Sequence, residues 1–242
     1  TVIKKPNITI FSSGDELIPI ETPYQKLQEG QIFESNKLFL LNALESPSIN
    51  LIDGGNLPDS KEETKTRLAQ AAKDSQLIIT TGGVSVGDAD FIIDSIREIG
   101  SLELWQINLK PGKPMAFGKI KEASILGLPG NPVSTIVTTL LLVKPIIDYL
   151  SGVIPTKPLK LKAIAKREIT HSQGRTEYQR GFFSVSDDGD LRVEQQGDQS
   201  SNRLSSFENC NCLIEILDTV GSIQVNEVVS IIPLEDFGLL KE

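Results

Sequence analysis

The stretch TTGGVSVGDAD, residues 80 to 90, sets three glycines and two aspartates where the apolar run QLII gives way to FIIDSIREIG. Glycine lets a backbone approach a ligand closely, and the free N–H groups at a helix start favour an anion. Gly82, Gly83, Ser85 and Gly87 therefore read as a cradle for a phosphate, with a tightly packed turn as the plainer alternative. Carboxylates lie at matching places: Asp15 and Glu16 in SSGDEL, Asp59 after INLIDGG, and Asp90 at the end of the glycine stretch. Several carboxylates converging at strand ends suit metal-assisted hydrolysis of a phosphoanhydride. Taken alone, Asp88 and Asp90 serve equally well as helix caps. In LKPGKP, Lys110 and Lys113 place two ammonium groups on a loop stiffened by two prolines, a setting for a small oxyanion or, more plainly, a solvated edge.

Composition narrows this chemistry. A chain of 242 residues, 39% apolar and 23% charged, is long enough for two cores of roughly 100 to 150 residues each. The net charge is -8, with 14 basic against 18 acidic residues in 1–153 and 10 against 14 in 154–242. Neither half has the dense positive footprint of a nucleic-acid binder, so any bound anion should be small and held by a few placed cations. The single histidine, His171, excludes a two-histidine zinc motif and leaves acid–base work to carboxylates and lysines. Cys210 and Cys212 have no further partners for zinc and read as inert thiols of a reducing compartment, which places the protein in the cytoplasm. The longest apolar stretch, VSTIVTTLLLV from Val133, stops at Lys144-Pro145, short of the roughly 20 residues of a bilayer span, and reads as a core helix with no membrane role. The first residue is Thr1, which fits a fragment or a processed product, and no leader pattern of basic then apolar residues follows it.

Positioning these residues takes an alternating α/β frame. NITIFSS reads as a first buried strand, followed by the polar turn GDELIPIETP and a helix from about Asn36 to Glu45. INLIDGG is a second strand and turn. DSKEETKTRLAQAAKD has the acidic first turn and the Leu68, Ala69, Ala72 spacing of an amphipathic helix that feeds the strand before the glycines. LELWQINL, MAFGKI and ASILGL are three more strands, and Asn131-Pro132 marks a helix start as N-cap and first helical residue. The result is a doubly wound, mostly parallel sheet over residues 1–153, whose ligand loops lie at the carboxyl ends of the strands. Beyond SGVIPTKP the units are short and β-rich: LKLKAIA, EYQRGFFSV, LRVEQQ, CLIEIL and EVVSIIPL. They predict a small all-β domain over 154–242.

Four motifs in this order, SSGDEL at 12–17, TTGGVSVGDADF at 80–91, LKPGKPMAFG at 109–118 and GLPGNPVS at 127–134, resemble one family: molybdopterin molybdenumtransferase of the MoeA and gephyrin E-domain type. GRTEYQRG at 174–181 resembles that family's C-terminal domain, so the resemblance covers nearly the whole chain. It implies a molybdopterin-binding, MoaB/MogA-like α/β domain followed by a β-domain like MoeA domain IV. It also implies a reaction in which adenylylated molybdopterin loses AMP and receives molybdate, with magnesium or a similar divalent ion. By resemblance Glu16, Asp59, Asp90 and Lys110 are catalytic, and Asp59 and Asp90 hold the metal. Gly82, Gly83, Ser85, Gly87, Pro129, Gly130 and Asn131 bind the pterin substrate, and Lys110, Lys113, Ser134, Arg175 and Ser201 contact molybdate. The family implies a homodimer and two further N-terminal domains ahead of the strand near Asn7, so turnover is expected to be incomplete in this chain alone. Gln106 departs from the pattern, since many members carry a lysine after the tryptophan; a cation on the AMP side is thereby lost. Two other readings stay open: a molybdopterin adenylyltransferase of the same sheet topology, against which the appended β-domain argues, and a truncated noncatalytic molybdopterin-binding scaffold.

Overall fold

A computed structural model describes residues 3–84 and 91–237. Two compact units are present, one of Thr1–Ile107 with Pro114–Pro155 and one of Asn108–Lys113 with Thr156–Glu242. A single boundary at residues 153–154 therefore misses an excursion: the lysine loop, early in the chain, belongs to the second unit.

The first unit contains β1 (Asn7–Ser13), β2 (Leu17–Ile18), β3 (Ile32–Phe33), α1 (Asn36–Ala43), β4 (Asn50–Leu57), α2 (Lys61–Ala71), β5 (Leu77–Thr81), α3 (Phe91–Ile99) and β6 (Ser101–Trp105). After β7 (Leu109–Lys110), which joins the second unit, come β8 (Ala116–Ile120), β9 (Ala123–Leu128), α4 (Pro132–Thr138) and α5 (Lys144–Leu150). The sheet order is β4-β1-β5-β9-β8-β6. Its first four strands are parallel, and β8 runs antiparallel to both β9 and β6. β5 is buried along its whole length, as a strand covered on both faces must be. Ile78 joins Phe11, Leu68, Ile92 and Ile96 in one core. Its neighbours Leu77 and Ile79 join Ile8, Leu40, Val143 and Ile147 in another. Alternating side chains thus bind α2 and α3 to one face and α1 with α4–α5 to the other, which makes the sheet doubly wound.

Four local expectations are corrected by packing. The glycines of INLIDGG do not turn the chain; β4 continues through them to Leu57, with a register shift opposite Ile10 and Phe11. Gly54 forms the bulge because a Cβ there would run into the Phe11 ring, and Gly55 adopts φ +81°. The turn GDELIPIETP holds β2, which pairs with β3 in a two-stranded ribbon. LELWQINL is broken at Gln106, whose φ of 74° is left-handed and cannot continue a ladder. Finally, the apolar helix does not stop at Lys144-Pro145 but runs from Pro132 to Leu150. A π-helical turn over Thr139–Val143 shifts the bonding so that Lys144 N–H reaches Thr139 O, and the wider turn accommodates Pro145. That helix is long and apolar enough to cross a bilayer, yet Val143 and Ile147 pack it into the sheet core.

The second unit contains β7, β10 (Leu161–Ala165), β11 (Thr176–Val185), β12 (Leu191–Gln195), β13 (Cys212–Ile216) and β14 (Val228–Pro233). The order β12-β10-β14-β13-β11, with β12 also on β11, closes a five-stranded barrel around Ala163, Ile169, Val193, Ile214 and Ile231. β7 pairs with the first two residues of β11, Leu109 opposite Thr176 and Lys110 opposite Glu177, before β12 takes over that side from Gly181. This pairing is what carries the lysine loop into the second unit.

Candidate functional site

Three loops meet at the carboxyl ends of the parallel strands in the first unit. Gly82 N–H donates to Leu128 O at 3.1 Å, and Gly82 and Gly83 adopt φ of 84° and 64°. A Cβ on Gly82 would lie 2.8 Å from Ser13 O, and one on Gly130 would lie 3.5 Å from Gly82 Cα. The backbones at Ser13 and Gly82 thus approach more closely than any residue with a side chain would allow. Asn36 Nδ2 donates to Gly130 O at 2.7 Å, and Thr135 Oγ1 donates to Pro129 O at 2.7 Å, so side chains from two helices fix the third loop. Asn131 is the N-cap, with extended φ and ψ of -70° and 128°, and Pro132 follows as the first helical residue. The positive end of the helix opens there, where an anion is favoured. Ser134 lies a turn further in and is buried.

The carboxylates gather beside these loops. Glu16 is exposed and folds back over Gly14, where a Cβ would collide with the carboxylate. Asp59 N–H donates to Asp15 Oδ1 at 3.3 Å, and Asn56 Nδ2 donates to Gly14 O at 2.9 Å, tying the ends of β1 and β4 together. Asp15, which the resemblance left aside, is the carboxylate that touches Asp59. Among the described residues no group of three metal-ligating side chains forms. Ser85, Gly87, Asp88 and Asp90 lie outside the described residues.

The second unit holds the cations. Lys113 is exposed, but Lys110 Nζ lies 3.0 Å from Oε1 of Glu177, a carboxylate only 3% exposed. Lys110 is thus ion-paired rather than simply solvated. The other carboxylate oxygen, Oε2, is 3.7 Å from His171 Nε2 and has no hydrogen-bond partner among the described residues. His171 is itself buried, with Nδ1 2.8 Å from Val220 O and Nε2 3.1 Å from Arg175 O, so the ring braces the residue just before β11. The loop bearing Ser201 is organised by Arg180, which is 1% exposed. Its Nη2 donates to Asp198 O at 2.8 Å and Ser200 O at 3.2 Å, and its Nε donates to Ser206 Oγ at 3.1 Å. Burial pushes this guanidinium below its usual range, while it remains a cation. On the same loop the Ser200 hydroxyl and N–H hold the Asp198 carboxyl below its usual range.

Residues 9–149 match the family described as a probable molybdopterin binding domain. The chain belongs to that family. Residues 162–234 match the MoeA C-terminal region, domain IV. A molybdopterin molybdenumtransferase of Haemophilus influenzae is 39% identical over 227 residues, which cover 93% of this chain and 55% of that protein. The Drosophila melanogaster molybdenum cofactor synthesis protein cinnamon is 33% identical, covering 89% of this chain and 35% of its own length. A solved structure of a molybdopterin biosynthesis MoeA protein from Pyrococcus horikoshii superposes with a TM-score of 0.74 at 27% identity, covering 95% of this chain and 54% of that one. The chain therefore spans about half the length of these molybdenumtransferase and MoeA relatives.

Within the unit that matches the probable molybdopterin binding domain, the fold sets Gly82 against Ser13 and Gly130, folds Glu16 over Gly14 and bonds Asp59 to Asp15. Lys110, Lys113, Arg175 and Ser201 all fall in the unit that matches the MoeA C-terminal region. Sequence reading passed over Asn36, Asn56, Glu177 and Arg180. TEYQRG already contained two of them, but a charged residue on a strand gives no sign of facing inward until its neighbours are known.

Proposed function

We propose that the chain is the catalytic and C-terminal portion of a molybdenum insertase, which binds adenylylated molybdopterin, releases AMP and transfers molybdate. The observation that carries this reading is the junction of Ser13–Glu16, Gly82–Gly83 and Pro129–Asn131 within the unit that matches the molybdopterin-binding family. Gly82, Gly83 and Gly130 present bare backbone to a phosphate, and the N-terminus of the helix beginning at Pro132 supplies a partial positive charge. Asp15 and Asp59 offer hard oxygen donors, which fits magnesium, an ion commonly held by one or two carboxylates together with substrate phosphates. Asp59, with Asp90, would hold that ion, which would supply positive charge against that developing on the phosphoanhydride. Glu16, exposed in the turn after β1, would accept a proton from the attacking water. Lys110, Lys113, Arg175 and Ser201 contact the molybdate, the forked guanidinium matching an oxyanion better than a third ammonium would. The adenylyltransferase reading loses ground because it leaves the barrel, and its match to the MoeA C-terminal region, without a role. The two buried free thiols support a reducing, cytoplasmic setting.

The test is a calorimetric titration of the chain with AMP-molybdopterin, with and without magnesium. Magnesium should tighten binding to the wild type by about tenfold, the scale of one charge-assisted contact, and should have little effect on Asp59→Asn. Double-stranded DNA should not bind. Equal magnesium dependence in both proteins would remove Asp59 from the site, and no binding of the pterin would overturn the reading.

A further inference from the structure

The pairing of β7 with β11 sets Lys110 directly opposite Glu177, and the two side chains meet at 3.0 Å. Lys110 is half-exposed, so its ammonium can turn toward an incoming anion, whereas Glu177 is buried and fixed. Among the described residues the second Glu177 oxygen lies 3.7 Å from the imidazole of His171 and takes no hydrogen bond. An oxyanion that takes Lys110 must therefore compete with a carboxylate already in place. We propose that Glu177 is a built-in rival anion for Lys110: a positioning residue that holds the ammonium at the start of β11 and deliberately weakens oxyanion binding there, so that the oxyanion is handed on rather than retained.

This inference rests on the oxyanion reading of Lys110, and it has a signature that simple structural support lacks. The repulsion from a fixed negative charge scales with the charge of the ligand, so a dianion is penalised twice as much in free energy as a monoanion. Removing that charge should multiply the affinity for a dianion by about the square of the factor gained by a monoanion.

The experiment is calorimetric titration of the chain with molybdate and, separately, nitrate. Glu177→Gln should bind nitrate about threefold and molybdate about tenfold more tightly than wild type, the scale expected of a half-exposed charge. Glu177→Asp, which keeps the charge, should stay near wild type. Lys110→Met should weaken molybdate binding, and adding Glu177→Gln to it should recover affinity, a rescue that lost packing cannot produce. If Glu177→Gln lacks native circular dichroism, the double variant decides, because removing both ions leaves neither unpaired. Wild type that binds molybdate with Glu177→Gln no tighter, or with equal gains for both anions, overturns the proposal while leaving the site. Wild type that binds no oxyanion overturns the site reading, and the proposal with it.

Discussion

Gly82 allows the junction of the strand-end loops to be measured as an energy. In Gly82→Ala the new methyl faces two separate penalties. At φ of 84° a residue with a Cβ loses roughly 1 to 2 kcal/mol to left-handed strain. The methyl would also lie 2.8 Å from Ser13 O, a backbone atom at the end of a strand paired to both β4 and β5. Relieving that contact displaces β1, at about 1 to 3 kcal/mol. The total is about 2 to 5 kcal/mol. Gly30→Ala is the matched control, since Gly30 has the same φ of 84° with nothing within 4 Å of its Cβ, and it should show the first penalty only. Urea unfolding followed by selectively excited tryptophan fluorescence reads this unit alone, because the one tryptophan, Trp105, lies in β6. At an m-value of about 1 to 3 kcal/mol per molar urea, the midpoint of Gly82→Ala should fall about 1 M further than that of Gly30→Ala. Equal midpoints in the two variants would show that the loop after β5 does not press against the end of β1, and the geometry of the proposed cradle would be wrong.

Two further outcomes concern the barrel. Arg180→Met should destabilise it by about 2 to 4 kcal/mol in a thermal melt, because the Asp198 and Ser200 carbonyls and the Ser206 hydroxyl lose their donor together; an unchanged melting temperature would mean that the loop does not depend on the guanidinium. Burial pushes the Cys210 thiol up to about 11 and the Cys212 thiol, more strongly, up to about 12. Both should therefore resist alkylation in the native protein at pH 8. Because the folded thiols ionise later than unfolded ones, their contribution to stability is complete below about pH 8.5 and is lost as pH rises toward 11 to 12, by about 1.4 kcal/mol per pH unit for each thiol. Chemical denaturation at pH 8 and pH 10.5 measures the loss, and a flat profile would contradict the burial.

Much of the frame could be read from residue order alone. The strand at Asn7–Ser13, the helix at Lys61–Ala71 and the five strands of the barrel announce themselves by apolar spacing and by the turn residues between them, which are local properties. Gly82 and Gly83 likewise mark the loop after β5 before any packing is known. The bulge at Gly54 and the helix that passes Pro145 were not legible in this way. The first depends on the Phe11 ring across the ladder, and the second on a π turn that accommodates a proline.

Charge presents the same division more sharply. Sequence order identifies Lys110, Lys113 and Arg175 as cations in stiff or glycine-bordered segments, and it also brings out the resemblance that assigns them an anion. It does not reveal that Lys110 crosses into the second unit, that Glu177 lies opposite it, or that His171 closes over the carboxylate. Lys110 stands 67 positions before Glu177 in the chain and 61 before His171. Local spacing reports which face of its own element a residue occupies, but whether an ionised side chain meets water, a counter-ion or another backbone depends on strand pairing and burial. For this protein the family motifs and the order of elements reside in the sequence, whereas the state of the central lysine is decided only when β7 docks on β11.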